Sequence, residues 1–290
     1  MERAILRTVL YADVFNYALT IPELHQYLIH HAACTVAEVQ STLLASHQLQ
    51  DQLTVQDGFV ALKTRSELIT LRQQRAYIAK ILLQHGETYG RWLASLPFVE
   101  MVAITGATAM QNPSHKRDDI DFLLIVRDGR VWLTRACSII LVRWARLWSI
   151  ELCPNYVFAS NQLPQKRTDL YIAHEIAQML PLFGHDLYCE LLAANHWAVH
   201  YLPNMMERTH LKLAPFRTLK HTLEWVFGGA LGNQLEQWEY RRKSALFKRR
   251  ASEKTASAQI DAHTVKGHFQ DHGQRILAAY EERLVEYGIS

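Results

Sequence analysis

Apolar positions in the first sixty residues recur at helical spacing in three segments and then at strand spacing in two. Residues 2–18 carry one amphipathic helical pattern. Thr20 is set to cap a second helix, "IPELHQYLIHHA", with Pro22 and Glu23 in its first turn, and Thr35 a third, "VAEVQSTLLAS". Two β-prone runs in "LTVQDGFVAL" then flank Asp57-Gly58, the pair that a two-residue hairpin turn favours.

Further along, the pattern divides the chain into three more parts. Residues 67–97 read as a long connecting helix, with Pro97 near its end. Residues 98–165 alternate between classes: strand ("FVEMVAITG"), short helix ("ATAMQN"), loop ("PSHKRD"), strand ("DIDFLLIV"), the Asp128-Gly129 turn, a helix over 130–148, and a strand in "IELCPNYVFAS". Pro154 points to an edge position or a strand start there. Residues 166–290 read as helical, with "DLYIAHEIAQML" closed by Pro181, "DLYCELLAANHWAVHYL" closed by Pro203, and a last helix over about 271–287; residues 205–258 carry only loose patterning. The expected fold is therefore mixed α/β, of the α+β type, with a helical C-terminal region.

The order of residues 1–66, three helices and a two-stranded wing, is that of a winged helix, a variant of the helix-turn-helix. Charge argues against DNA as its partner. Residues 1–60 hold two basic side chains (Arg3, Arg7) and six acidic ones, a net of −4, and the third helix has no Lys or Arg to neutralise phosphates. Packing within the chain or against another protein is the expected role.

Composition adds bounds. With 290 residues, 49% of them hydrophobic, the chain can bury a sizeable core, and 31 basic against 28 acidic residues give a balance of only +3. Cys34, Cys137, Cys153 and Cys189 are too few and too scattered for a disulfide framework, so free thiols in a reducing cytoplasm are expected. No secretion signal is read at the N-terminus, and Arg135, Arg143 and Arg146 interrupt the most apolar segment, so no membrane span is expected. The run "RRKSALFKRR" at 241–250, six basic residues near Trp225, Trp238 and Tyr240, offers a surface for RNA or another polyanionic acceptor or is simply a solvated face, and "ASEKTASAQ" after it reads as a mobile loop. "AHEIAQM" is not the H-E-x-x-H zinc motif and His30-His31 beside Cys34 lacks zinc-site spacing, while His268 and His272 could pair on a helix; zinc is not the expected reading of any of them.

Residues 104–126, "ITGATAMQNPSHKRDDIDFLLIV", carry the chemistry. Asp119 and Asp121, two apart at the start of a strand, project from one face close enough together to share a cation. Gly106 and Ala107 end the preceding strand and open a helix, whose free N–H groups suit a phosphate; Thr108 adds a hydroxyl. Lys116 and Arg117 precede the acidic pair, where they steer phosphate or solvate the loop, and Asp118 reads as a strand-entry or capping residue rather than a metal ligand. A phosphate cradle beside paired carboxylates suits a nucleoside triphosphate with magnesium, or manganese in its place. Two ions roughly 3.5–4 Å apart would activate an attacking hydroxyl and stabilise the leaving oxygen at the α-phosphate.

On "ITGATAM" followed by "DDIDFLLIV", the chain resembles the nucleotidyltransferase superfamily related to DNA polymerase beta, most closely over residues 98–126. A looser similarity runs over the whole length to bacterial proteins with an N-terminal winged helix, this catalytic core and a helical C-terminal region. The resemblance implies a catalytic core at 98–165 that transfers a nucleoside monophosphate from NTP to a hydroxyl acceptor, on a small molecule, protein or RNA, with release of pyrophosphate. It assigns the metal to Asp119 and Asp121 and the triphosphate to Gly106, Ala107 and Thr108. Ala107 stands where the family usually has Ser or Gly. The third family carboxylate falls on a later strand, with Glu151 the candidate and Asn155 the alternative occupant. Asn155 there would leave two metal carboxylates and a non-catalytic, regulatory or interaction protein on a degenerate nucleotide-binding fold.

Overall fold

A computed structural model describes residues 1–208, 212–251, 261–266 and 272–289. The chain is mixed α/β, built on two sheets. The first region comprises α1 (Glu2–Val14), β1 (Leu19–Thr20), α2 (Ile21–Gln26), α3 (Val36–Ala45), α4 (His47–Gln52), β2 (Leu53–Gln56) and β3 (Phe59–Leu62). Thr20 and Thr35 each close a capping box, with Glu23 and Glu38 respectively. Asp57 and Gly58 take positive φ (52° and 78°) and turn β2 into β3, and β1 pairs with the other side of β3. Helix α2 is half the length its pattern suggests, and residues 47–52 add a helix that the pattern did not predict.

These first elements share a core with the C-terminal region. Leu170, Ala173 and Ala177 of α8 (Leu170–Gln178) and Tyr280 of α12 (His272–Glu286) belong to the apolar cluster of α1, α2 and α3. Asp13, only 2% exposed, accepts from Arg65 (2.8 Å) and from Arg283 of α12 (2.9 Å), so its buried charge is paired from two sides. Arg72 of α5 (Glu67–Ala94) reaches Glu23, the carbonyl of Gln111 and the face of Tyr17.

The second sheet runs β7-β4-β5-β6-β8, formed by β4 (Val99–Ile104), β5 (Ile120–Val126), β6 (Leu152–Ala159), β7 (Leu180–Phe183) and β8 (Thr264–Lys266). All neighbours are antiparallel except β5 and β6, which are parallel and joined by α7 (Val131–Arg146). Helix α6 (Gly106–Ala109) follows β4 directly. One face of the sheet, with Ile104, Phe122 and Leu124, packs on α5 and α7. The other, with Met101, Leu123 and Ile125, packs on α8 and α9 (His185–Ala194). Period-2 alternation thus aims Asp121 toward α8.

Residues 98–165 supply the three central strands; the outer two come from the segment expected to be helical. Pro181 closes α8 as expected and then lies in edge strand β7, where a missing N–H is tolerated. β6 is interior, yet β8 reaches only Tyr156–Phe158, so Pro154 near its start faces a single partner strand. Two unpredicted helices, α10 (Arg217–Phe227) and α11 (Ala230–Ala251), fill the loosely patterned region. α11 lacks an apolar stripe because it docks on α7 through polar groups: Glu236 accepts from the N–H groups of Trp132 (3.0 Å) and Leu133 (2.7 Å), capping α7 from outside. Arg242 of the basic run is paired with Glu239 and lies over Trp238. The side chains of 246–250, the expected mobile loop at 252–259 and His268 lie outside the described residues.

Gly184 takes φ +80° where β7 turns into α9, and a Cβ there would sit 2.1 Å from the carbonyl oxygen of Glu100. Gly184→Ala is expected to destabilise the chain by roughly 2–3 kcal/mol, since the left-handed strain and a contact with backbone add together. Urea unfolding of the variant checks this; an unchanged midpoint would refute it.

Candidate active site

The pocket under α8 is built by the ends of three strands. β4 ends at Ile104, and the N–H of Thr105 after it donates to the carbonyl of Asp121 (3.0 Å), which brings the next turn against β5. Gly106 in that turn has φ +64°, and a Cβ on it would lie 2.7 Å from Asp121 Oδ2. Only glycine allows both the backbone conformation and the approach. In the parallel register Cys153 lies opposite Asp121; the pairing then shifts, with Phe122 opposite Pro154 and Leu123 opposite Tyr156. Asn155 is the extra residue of this bulge, and its Nδ2 donates to Asp121 Oδ1 at 3.0 Å.

Ligand atoms of Asp119, Asp121 and Cys153 all lie within 4.8 Å of one another. Asp119 and Asp121 line a pocket of about 340 Å³ together with Thr105, Gly106, Asn155 and, from α8, Tyr171 and Glu175; Arg167, Lys266 and His272 complete its polar wall. Burial pushes the Asp121 carboxyl up to about 7; the charge of Asp119 adds to the rise, and hydrogen bonds from Cys153 and Asn155 oppose it. Burial, followed by Asp121 and Asp119, pushes the Cys153 thiol up to about 12, which keeps it a protonated donor. Burial likewise raises the Glu175 carboxyl, against the opposing effects of Lys266 and the Tyr171 hydroxyl.

Of the residues expected from sequence, Gly106, Asp119 and Asp121 meet in this pocket, while Ala107 lines an adjoining aromatic pocket with Gly106, Tyr171 and Glu175 as shared walls. Thr108 is buried, and its hydroxyl finds no partner. Lys116 and Arg117 are exposed and absent from both pocket walls; Lys116 lies over Tyr77 instead. Asp118 accepts from the N–H of Ser114 and closes the loop, as a capping residue does.

Glu151 stands apart from the acidic pair. It is half-exposed, its carboxylate accepts from Arg146 Nε at 2.9 Å, and it is not in the pocket wall. Its backbone carbonyl takes the N–H of Ile120, and the pairing of β6 hands the position facing Asp121 to Cys153. Pro154 was the sequence signal for that bulge. Glu175, Arg167 and Lys266 had none, being brought to the pocket from positions 46 to 145 residues beyond Asp121.

No helix among the described residues is long and apolar enough to cross a membrane. No protein-family model, curated protein or solved structure matches the chain.

Proposed function

We propose that this pocket binds a nucleoside triphosphate through a divalent cation and transfers its nucleoside monophosphate to a hydroxyl acceptor, the reaction of the polymerase-beta-like nucleotidyltransferases. Residues 1–66 are then a winged-helix module packed onto that core. The observation that carries this reading is the convergence of Asp119, Asp121 and the Gly106 backbone on one pocket. The two carboxylates fit magnesium, with phosphate oxygens and water as remaining ligands, and the Cys153 thiol beside them, held protonated, is no ligand to it. Asp119 and Asp121 would hold the ion, which when bound neutralises phosphate charge and polarises the P–O bond.

The chain's own groups do the rest. Gly106, lacking a Cβ, lets the Asp121 carboxylate lie against the strand end in the pocket wall where a phosphate would bind. Arg167 and Lys266 bring positive charge to the wall in the role first expected of Lys116 and Arg117. Asn155 orients the Asp121 carboxylate through its hydrogen bond. Glu175, across the pocket, is the carboxyl available to take the acceptor's proton.

A second reading, nucleotide binding without turnover, is favoured by one observation: Cys153 and Asn155, not Glu151, stand beside the pair. The test is magnesium-dependent release of pyrophosphate from each of the four NTPs, run beside NTP binding with and without magnesium. Binding that is indifferent to magnesium would sink both readings; magnesium-linked binding without pyrophosphate release selects the second. Glu151→Gln is expected to change NTP affinity less than about twofold, because it loses only an exposed ion pair. Cys153→Asp, by contrast, adds a carboxylate facing the pair and is expected to tighten magnesium binding about tenfold or more. Isothermal titration with magnesium checks both.

A further inference from the structure

A second cluster lies outside this pocket. His185 is the first residue of α9, and Cys189 follows one turn later, so both side chains share a helix face. Glu207 approaches them from the segment after α9. His185 Nε2 is 3.0 Å from Glu207 Oε1, Cys189 Sγ is 3.7 Å from His185 Nε2, and Cys189 Sγ is 3.6 Å from Glu207 Oε1. With zinc bonds of about 2.0–2.1 Å to nitrogen, 2.0–2.2 Å to oxygen and 2.3 Å to sulfur, the edges of a tetrahedral site are about 3.4–3.6 Å. The two edges at Cys189 match those values, and the His185–Glu207 edge, now at hydrogen-bond distance, opens by about 0.4 Å to complete one face of such a tetrahedron when the ion replaces the shared proton.

From this geometry we infer that His185, Cys189 and Glu207 bind a zinc ion, with water in the fourth position. Mixed nitrogen, sulfur and oxygen donors suit zinc, whereas magnesium takes oxygen alone. Binding releases the Cys189 thiol proton, so that thiolate is the ligand. The His185 and Glu207 side chains are 41% and 46% exposed, which leaves the ion an entry path and the open position.

Both ends of the site are anchored. Gly184 seats the start of α9 against β4. The Arg208 N–H donates to the Tyr188 hydroxyl (3.2 Å), and its guanidinium donates to the carbonyls of Ala109 (3.1 Å) and Gln178 (2.7 Å). Zinc on Glu207 therefore fixes the residue beside an arginine that ties the end of α6 to the end of α8, the two helices flanking the Asp119/Asp121 pocket. The role is structural, and the site does not depend on the nucleotide reading.

Cobalt is the probe, because its thiolate charge-transfer and tetrahedral d–d bands report both the ligand and the geometry. The metal-stripped full chain titrated with Co2+ is expected to develop both sets of bands, and one equivalent of Zn2+ to bleach them. Cys153→Ser should keep them, Cys189→Ser should lose the charge-transfer band, and His185→Ala and Glu207→Gln should each weaken Co2+ binding at least tenfold. Circular dichroism establishes that each variant is folded, and the exposed Glu207→Gln decides if a helix variant is not. Absence of the bands in the wild type, or bands that survive Cys189→Ser and vanish in Cys153→Ser, overturns the assignment.

Discussion

Asp121→Asn is expected to weaken magnesium-linked NTP binding by at least about 100-fold while making the empty protein more stable. The first effect follows from removing one of two carboxylates; loss of a group merely supporting a metal ligand already costs about 10–100-fold. The second follows from burial. The Asp121 carboxyl is held out of water and beside Asp119, which lifts it from its ordinary range to about 7. A raised folded-state value means the carboxylate favours folding only when protonated, and that contribution is lost as pH rises through about 7. Asn keeps the shape and an acceptor for the Asn155 amide while removing the charge, so above pH 7 the variant should gain on the order of 1–3 kcal/mol. Urea unfolding at pH 8 measures the gain, and titration with NTP and magnesium measures the loss. Opposite signs identify a residue held at a stability penalty for binding. A variant that loses both stability and binding would make Asp121 a structural residue, and the site assignment would fall.

The strand-turn-helix-strand unit was legible because its information is local. Apolar alternation marked β4 and β5, glycine marked the turn, and the i, i+2 spacing put both aspartates on one face. Each rests on residues within about twenty positions of one another. Legibility ended where partners come from afar. Glu151 and Asn155 share parity on one strand, so periodicity alone could not choose between them; the bulge at Pro154-Asn155 and the ion pair to Arg146 did. Helix α11 escaped notice for a related reason: its buried Glu236 serves as the missing cap of α7, a job that appears in no hydrophobic pattern. The same distance effect hid the zinc cluster. His185 and Cys189 show helical spacing, but that spacing means little until Glu207 is seen beside it.

Acid stability should depend on one histidine that sequence gave no reason to single out. His174, 4% exposed on α8, stacks on Tyr11 of α1 with ring centroids 4.1 Å apart and planes at 12°. Its Nδ1 lies 3.1 Å from the Gln178 side-chain nitrogen, which donates, so the ring proton sits on Nε2, where no partner is found. Burial pushes its pKa down from 6.5 to about 3, so the ring stays neutral in the fold. The unfolded chain binds a proton at this position below pH 6.5 and the folded chain does not, so stability falls with falling pH through the window from 6.5 to about 3. The slope from one such proton is about 1.4 kcal/mol per pH unit, and over the window it accumulates to roughly 5 kcal/mol, the size of a small domain's whole stability. Neighbouring Glu175, raised by burial, acts in the opposite sense, since its contribution is present at low pH and lost as pH rises. The difference between wild type and His174→Phe isolates the histidine, because phenylalanine keeps the ring stack without a titrating nitrogen. Unfolding free energies from pH 7 to pH 4 should diverge progressively below 6.5, with the variant losing less. Parallel curves would mean that His174 is protonated in the fold, and that the contact joining α1 to α8 opens to water before the rest of the protein unfolds.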